Sequence, residues 1–254
     1  MEKIKKLGVQ LYTVRDFMQT EEDVRETFRK LKALGYDQAQ TAGCAIPYEV
    51  FGQLAKEEGI EIVGTHDNFQ LMCDDFDAAL KNHQALNTMY MGVGILNKHT
   101  AAEYEEFVKK ANIVGEKLAP YGGRFTYHNH SHEFAALDDG RKGWNILVEG
   151  LNPETTSFVL DTYWIANAGG DVINWINKLS GRVDILHLKD KSVTPKSQNT
   201  YICEIGVGNL NWDGIIEAAH KAGVKYFVVE QDTCPGDPFD SLKISAEFIR
   251  KNFM

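Results

Sequence analysis

The 254-residue chain is 43% hydrophobic and 25% charged, a composition that fits a globular protein and excludes a disordered segment. Its formal net charge of −9 argues against nucleic acid as a partner, because that affinity rests on clustered Lys and Arg. No apolar run reaches the roughly 18–20 residues of a membrane span, and none long enough for a signal peptide follows the first lysines, so a cytoplasmic location with no membrane partner is expected.

From the N-terminus onward one pattern repeats: a short apolar or β-branched run, a polar connection, then an amphipathic stretch. Strands are predicted at 7–13, 36–42, 60–66, 88–94, 124–130, 157–163, 183–190 and 224–232. The first helix is the clearest. Thr20 caps it, acids fill its first turn, Val24, Phe28, Leu31 and Leu34 line one face, and Gly35 stops it. "PYEVFGQLAKEEGIEIVG" and "NWDGIIEAAHKAGVKYFVVE" repeat that grammar, a helix ending in Gly that leads into a buried strand. Eight such units predict one α/β domain over 1–254, a single (β/α)8 TIM barrel, since an open doubly wound sheet usually stops near about five or six strands. Residues 191–210 form the one long irregular stretch and read as a lid or binding loop. Cys44, Cys73, Cys203 and Cys234 lack any C-x-x-C spacing and read as reduced thiols.

In such a barrel the strand C-termini carry the chemistry. His66 ends strand three, and "YHNHSHEF" (127–134) places His128, His130, His132 and Glu133 at the end of strand five. Asp161 ends strand six, His187 and Lys189 belong to strand seven, and Glu230 to strand eight. Burying such groups is costly unless they pair or bind a cation, so their convergence on one rim predicts a divalent-metal site. Strand alternation puts His128 and His130 on the mouth side, with Asn129 turned away to brace a loop. His132 reads equally well as a plain loop residue, and His83, His99 and His220 read as surface residues. Gln10 and Tyr12 alternate so as to reach the mouth, and Trp164 offers a stacking surface for a sugar. Trp144, Trp175 and Trp212 favour the core, while the glycines of "EIGVGNLNW" (204–212) would let backbone amides approach an anion.

These motifs give a resemblance over nearly the whole chain to the sugar isomerase/epimerase superfamily of xylose isomerase-like barrels. That group includes ketose 3-epimerases, hydroxypyruvate isomerase, inosose dehydratase and an apurinic endonuclease. The resemblance implies one divalent ion (Mn, Mg, Co or Zn) held by a Glu after strand five, an Asp after strand six, a His after strand seven and a Glu after strand eight. Asp161 in "LDT", His187 in "HLKD" and Glu230 in "VVEQD" match three of these, and Lys189 matches a substrate-contacting lysine. His128 stands about where epimerases carry the strand-five Glu, so the expected carboxylate ligand moves to Glu133. "YHNH..EF", "LDTYW..NAGGD" and "VVEQD" are more similar to a bacterial subgroup mostly named sugar phosphate isomerase/epimerase, with relatives that act as lyases or hydratases on 3-keto-glycosides. Barrels of this group often pair or form tetramers, so a homo-oligomer is expected.

The leading expectation is therefore a metal-dependent isomerase or epimerase of a ketose or keto-sugar, phosphorylated or not. The ion would chelate the carbonyl and a neighbouring hydroxyl while Glu230 or His128 removes a proton to give an enediolate, with Glu133 completing the catalytic group. Lys189, His66, His130, Trp164, Tyr12 and Gln10 are expected to contact the sugar. The runner-up is a lyase or dehydratase of a keto-sugar or 3-keto-glycoside with His128 as base. A third reading is a non-catalytic sugar-binding subunit.

Overall fold

Strand periodicity and helix punctuation build a nearly closed ring in this computed structural model, which describes residues 2–254. Eight parallel strands form it: β1 (Gly8–Gln10), β2 (Gln38–Ala42), β3 (Glu61–His66), β4 (Tyr90–Val93), β5 (Arg124–His128), β6 (Thr156–Asp161), β7 (Val183–Leu188) and β10 (Tyr226–Val229). Their order is β3-β2-β1-β10-β7-β6-β5-β4. Between β3 and β4 the ladder gives way to single bonds, in which Asp67 N–H donates to Gly92 O at 2.8 Å and Gly92 N–H to Thr65 Oγ1 at 3.4 Å. The strands are shorter than predicted because polar side chains at the rim turn the chain. Gln10 Oε1 accepts from Tyr12 N–H and starts a 3₁₀ segment (Leu11–Phe17), and Asp161 accepts from Trp164 N–H and opens a helix over Thr162–Asn167.

The outer helices follow the predicted grammar. In α1 (Glu21–Leu34) Thr20 and Asp23 form a reciprocal capping box, and Gly35 takes the left-handed conformation at φ 88° that ends the helix. Then come α2 (Tyr48–Glu57), α3 (Phe69–Asp74), α4 (Phe76–Ala85), α5 (Ala101–Leu118), α6 (Gly143–Gly150), α7 (Thr162–Asn167), α8 (Val172–Lys178), α9 (Trp212–Ala222) and α10 (Pro238–Phe253). The main apolar core lies between strands and helices, with Trp144 and Trp212 in it. A second, small cluster of Val63, Val159, Ile185 and Val228 plugs the barrel interior. These four come from β3, β6, β7 and β10, and the next inward residues toward the C-terminal rim are two positions on. Asp161, His187 and Glu230 are thereby set in one layer directly above the plug.

Two expectations change. The stretch 191–210 is not irregular throughout: β8 (Asp190–Val193) and β9 (Thr200–Cys203) pair as an antiparallel hairpin. It is tied to the helix after β6 by Lys191 Nζ donating to Ala166 O and Thr200 Oγ1 to Asn167 Oδ1, so it stands as a fixed shelf. His83 is not a surface residue; it lies on the inner face of α4 at 1% exposure, bonded to Thr65 Oγ1 at 2.7 Å and Ala79 O at 2.7 Å. His220 is also mostly covered, packing on Phe227 at 5.1 Å between ring centroids, whereas His99 is exposed.

The seam makes two predictions. A Cβ at Gly92 would strike Thr65 O and Thr126 Oγ1, so Gly92→Ala should cost roughly 1–3 kcal/mol, read as a lower Tm; an unchanged Tm would show the seam to be loose. Burial holds the His83 imidazole below its ordinary value, so the folded state favours the neutral ring. The unfolded chain takes up that proton near about pH 6.5, so this contribution to stability is complete above that pH and is lost as pH falls. His83→Gln should therefore show a shallower fall in Tm than the parent from pH 7 to pH 5.

Candidate metal centre

Four side chains converge above the plug. One ligand-type atom from each of His128, Asp161, His187 and Glu230 lies within 4.8 Å of the others, and all four residues are buried. Three of them, Asp161, His128 and His187, are aimed by a second bond. Asp161 spends Oδ1 on the helix cap, leaving Oδ2 to face inward, and its own N–H donates to Asn129 Oδ1 at 2.9 Å. Asn129 thus braces the end of β6. His128 Nδ1 lies 2.8 Å from Gly94 O, and His187 Nε2 lies 2.5 Å from Gln40 Oε1.

Those two bonds set the tautomers. A carbonyl oxygen only accepts, so the outer nitrogen of each ring carries the proton and the inner one presents a lone pair. His128 Nε2 then faces Asp161 Oδ2 at 3.3 Å and Glu230 Oε2 at 3.9 Å. His187 Nδ1 faces Glu230 Oε2 at 2.9 Å and Asp161 Oδ2 at 3.8 Å. Lone pairs facing carboxylate oxygens repel unless a cation stands among them or the rings take on protons. Two imidazoles and two carboxylates form a mixed N/O donor set suited to first-row divalent ions, so the residues fit such an ion.

Lys189 supplies the compensating charge in the layer above. Its ammonium reaches Glu230 Oε2 at 2.8 Å, Asp232 Oδ1 at 2.9 Å and Asp161 Oδ2 at 3.1 Å. Burial alone would lower the Lys189 pKa, but Asp161, Glu230 and Asp232 outweigh it and push it up. Burial would likewise raise Asp161 and Glu230, yet Lys189 and the two imidazoles hold both below the ordinary carboxylate range. His187 is raised, since Glu230 and Asp161 outweigh its burial. Asp232 moves the other way: burial and the neighbouring Glu230 raise its pKa.

Glu133 is not part of this group, which corrects the expected strand-five ligand. It is fully buried on the other side of the strand, accepting from Tyr127 OH at 2.7 Å and His130 N–H at 2.9 Å. Tyr127 points outward to Phe107 by strand alternation, and the 3₁₀ turn His132–Phe134 brings Glu133 back onto it. The strand-five position facing the mouth belongs to His128. Both candidate bases, His128 and Glu230, line the mouth cavity, His128 with Nδ1 bonded to Gly94 O and Glu230 with Oε2 in the ion-pair contacts.

Tyr12, His66 and His130 line that cavity with His128 and Glu230. His66 stacks on His128 at 4.9 Å, and burial, with His128 and His187 next, holds its pKa well down. Burial does the same to His130, lowering it to about 2. Gln10 sits one layer out, bonding to Gln40 Oε1 and His66 Nδ1 at 3.2 Å each, so it positions these groups and does not reach the mouth. Trp164 packs against His130 at 5.0 Å and the Lys189 ammonium at 5.2 Å, beside the residues that line the mouth cavity. His132 Nε2 donates to Leu96 O at 2.8 Å and so acts as a loop tie. The amides of 206–210 do not await an outside anion. Gly206, Gly208 and Leu210 N–H, with the Trp212 indole, already donate to the buried Asp190 carboxylate.

Sequence reasoning missed Gln40, Gly94 and Asp232. Asp232 had a signal, since it lies two residues beyond Glu230 on the same side; Gln40 had a weaker one in the alternating "QAQ" of β2, and a backbone carbonyl such as Gly94 O leaves none.

A family model described as Xylose isomerase-like TIM barrel matches residues 26–252. Inosose dehydratase of Geobacillus thermodenitrificans is 26% identical over 168 residues, covering 60% of this chain and 55% of that protein. The chain thus spans little more than half the length of the curated relatives it matches. A sugar phosphate isomerase/epimerase from Parabacteroides distasonis superposes with a TM-score of 0.80 at 20% identity, covering 100% of this chain and 96% of that one. A probable 3-DHS dehydratase involved in petrobactin synthesis, from Bacillus anthracis, superposes at 0.73 with 14% identity, covering 97% and 99%. At these identities the two structures speak for the fold alone.

Glu133→Gln should leave divalent-metal content unchanged, because its carboxyl lies outside the ligand group. Burial raises the Glu133 pKa, so in the wild type this group weakens the fold as pH rises past the unfolded carboxyl's range. The variant should therefore match or exceed the parent Tm at pH 8; loss of metal in it would return Glu133 to the site.

Proposed function

The chain belongs to the xylose isomerase-like TIM barrel family, and on that premise we propose that it is a divalent-metal-dependent lyase that removes a β-oxygen, as water or an alcohol, from a polyhydroxylated ketone. The observation that carries this reading is the exchange at β5, where an imidazole, His128, faces the mouth and the carboxylate of the following turn, Glu133, is spent on Tyr127. Epimerisation by two metal-bound carboxylates needs a second one across from Glu230, on the β5 side. Elimination needs one base and one proton donor. The curated relatives named inosose dehydratase, matched over 60% of this chain, agree with that choice.

His128, Asp161, His187 and Glu230 would hold the ion. When bound, it would supply Lewis-acid polarisation of the ketone oxygen and so acidify the neighbouring C–H. Glu230 takes that proton as base, its lowered pKa keeping it ionised at neutral pH. The C–H electron pair becomes the new double bond, the β C–O bond breaks, and the departing oxygen takes a proton from Asp232. Asp232 lines the same cavity with its pKa raised, and two carboxyls with pKa values pushed apart in one site suit a base and an acid. Lys189 ties both to Asp161 and fixes their spacing before substrate arrives.

Purified protein should carry one divalent ion per chain by elemental analysis, and Asp161→Asn and His187→Ala should lose it. With inosose or a 3-keto-glucoside in D₂O, proton NMR should show loss of water or of the alcohol. Glu230→Gln should slow this by roughly 10²–10⁴-fold at retained fold. Deuterium gained with the carbon and oxygen skeleton intact would establish an isomerase or epimerase instead. Sugar binding with neither exchange nor elimination would establish a binding subunit.

A further inference from the structure

The mouth cavity, about 480 Å³, is built unevenly. Its polar side comes from β5 and β10 with His128, Glu230 and Asp232, while Tyr12, Phe69 and Ile95, from the loops after β1, β3 and β4, give it an apolar side. Tyr12 and Ile95 are 42% and 51% exposed beside a charged centre, the Arg15 guanidinium packing over the Tyr12 ring at 4.2 Å and Ile95 left open. Phe69 is backed by Phe107 at 4.7 Å and Phe125 at 5.6 Å, so this wall is a fixed surface. A sugar ring seated on the ligand group would leave it uncovered.

Charge points the same way. Asp67, Glu230 and Asp232 line the cavity and, among the described residues, no Lys or Arg does. The Lys189 ammonium is shared among three carboxylates, and Arg15, beside Tyr12, donates to Tyr12 O and Asp232 O. The backbone amides of 206–210 serve Asp190. A phosphate in this cavity would meet the carboxylates of Asp67 and Glu230, with no Lys or Arg side chain lining the cavity to receive it.

We infer that the substrate is an uncharged keto-sugar or cyclic keto-polyol bearing an apolar substituent of about aromatic-ring size, seated against Tyr12, Phe69 and Ile95. The ketone rests on the lyase reading above; the apolar seat and the exclusion of phosphate rest on the cavity itself. The substituent covers the exposed wall, and the sugar hydroxyls face the polar side.

The test uses the metal-loaded full chain and three probes without a ketone, which cannot react: phenyl β-D-glucopyranoside, methyl β-D-glucopyranoside and glucose 6-phosphate. By calorimetry the phenyl glycoside should bind roughly tenfold or more tighter than the methyl glycoside, with glucose 6-phosphate weakest. Ile95→Asp, a change at an exposed position, should remove the phenyl advantage while metal content and Tm stay at parent values; Tyr12→Ser should do so in part. Equal affinity for the two glycosides, tighter binding of the phosphate, or no glycoside binding at all overturns the inference. Those outcomes leave elimination from inosose in D₂O to stand or fall by itself, and failure of elimination leaves the phenyl-to-methyl ratio intact.

Discussion

The rest of the site depends on one ammonium. Lys189 is fully buried, and its Nζ lies within 3.1 Å of an oxygen of each of Asp161, Glu230 and Asp232. Three carboxylates crowded at the top of a barrel would repel one another and pay heavily for leaving water. With Lys189 among them they become an ordered cluster whose members differ in acidity: Glu230 and Asp161 are pushed down and Asp232 up. The two imidazoles close the arrangement from below, each locked by an oxygen behind it, Gly94 O for His128 and Gln40 Oε1 for His187. Charge balance, tautomer and ligand direction are therefore one property of the cluster, and no member can be changed without altering the others.

Much of this was legible in the chain. Period-2 alternation above a plug of Val159, Ile185 and Val228 leads directly to Asp161, His187 and Glu230, so three members of the ligand group could be read from strand pattern and motif together. Glu133 could not be placed that way. It follows the strand, and whether it turns to the mouth or to the helices depends on a 3₁₀ turn and on the Tyr127 hydroxyl, a contact that periodicity does not encode. His83 and Gln10 were misplaced for a related reason. A histidine on an amphipathic helix looks like surface until its partner Thr65 is known, and a glutamine at a strand end looks like a substrate contact until Gln40 and His66 claim it. The hairpin of β8 and β9 was hidden because its strands are short and polar.

The barrel divides its labour by arc. The run β5, β6, β7 and β10 carries the ligand atoms and their charge partner, braced from outside it by Gln40 of β2 and by Gly94 O after β4, whereas the side chains of Tyr12, Phe69 and Ile95 in the loops after β1, β3 and β4 supply apolar surface. His66 joins the two arcs by stacking on His128 while hanging from Gln10. Substitutions in the loops of the first arc can thus change what is bound without disturbing the electrostatics of the second.

Asp190, next in the chain to Lys189, has a consequence of its own. The loop at 206–210 has the form of an anion receptor, with glycines that let several N–H groups turn inward, and its guest is a side chain of the same molecule. A tethered guest competes at an effective concentration that a diffusing phosphate rarely matches. The receptor is permanently filled, and what would have been a phosphate clasp serves as a rivet joining the end of β7 to the start of α9, close beside the lysine on which the charge cluster turns.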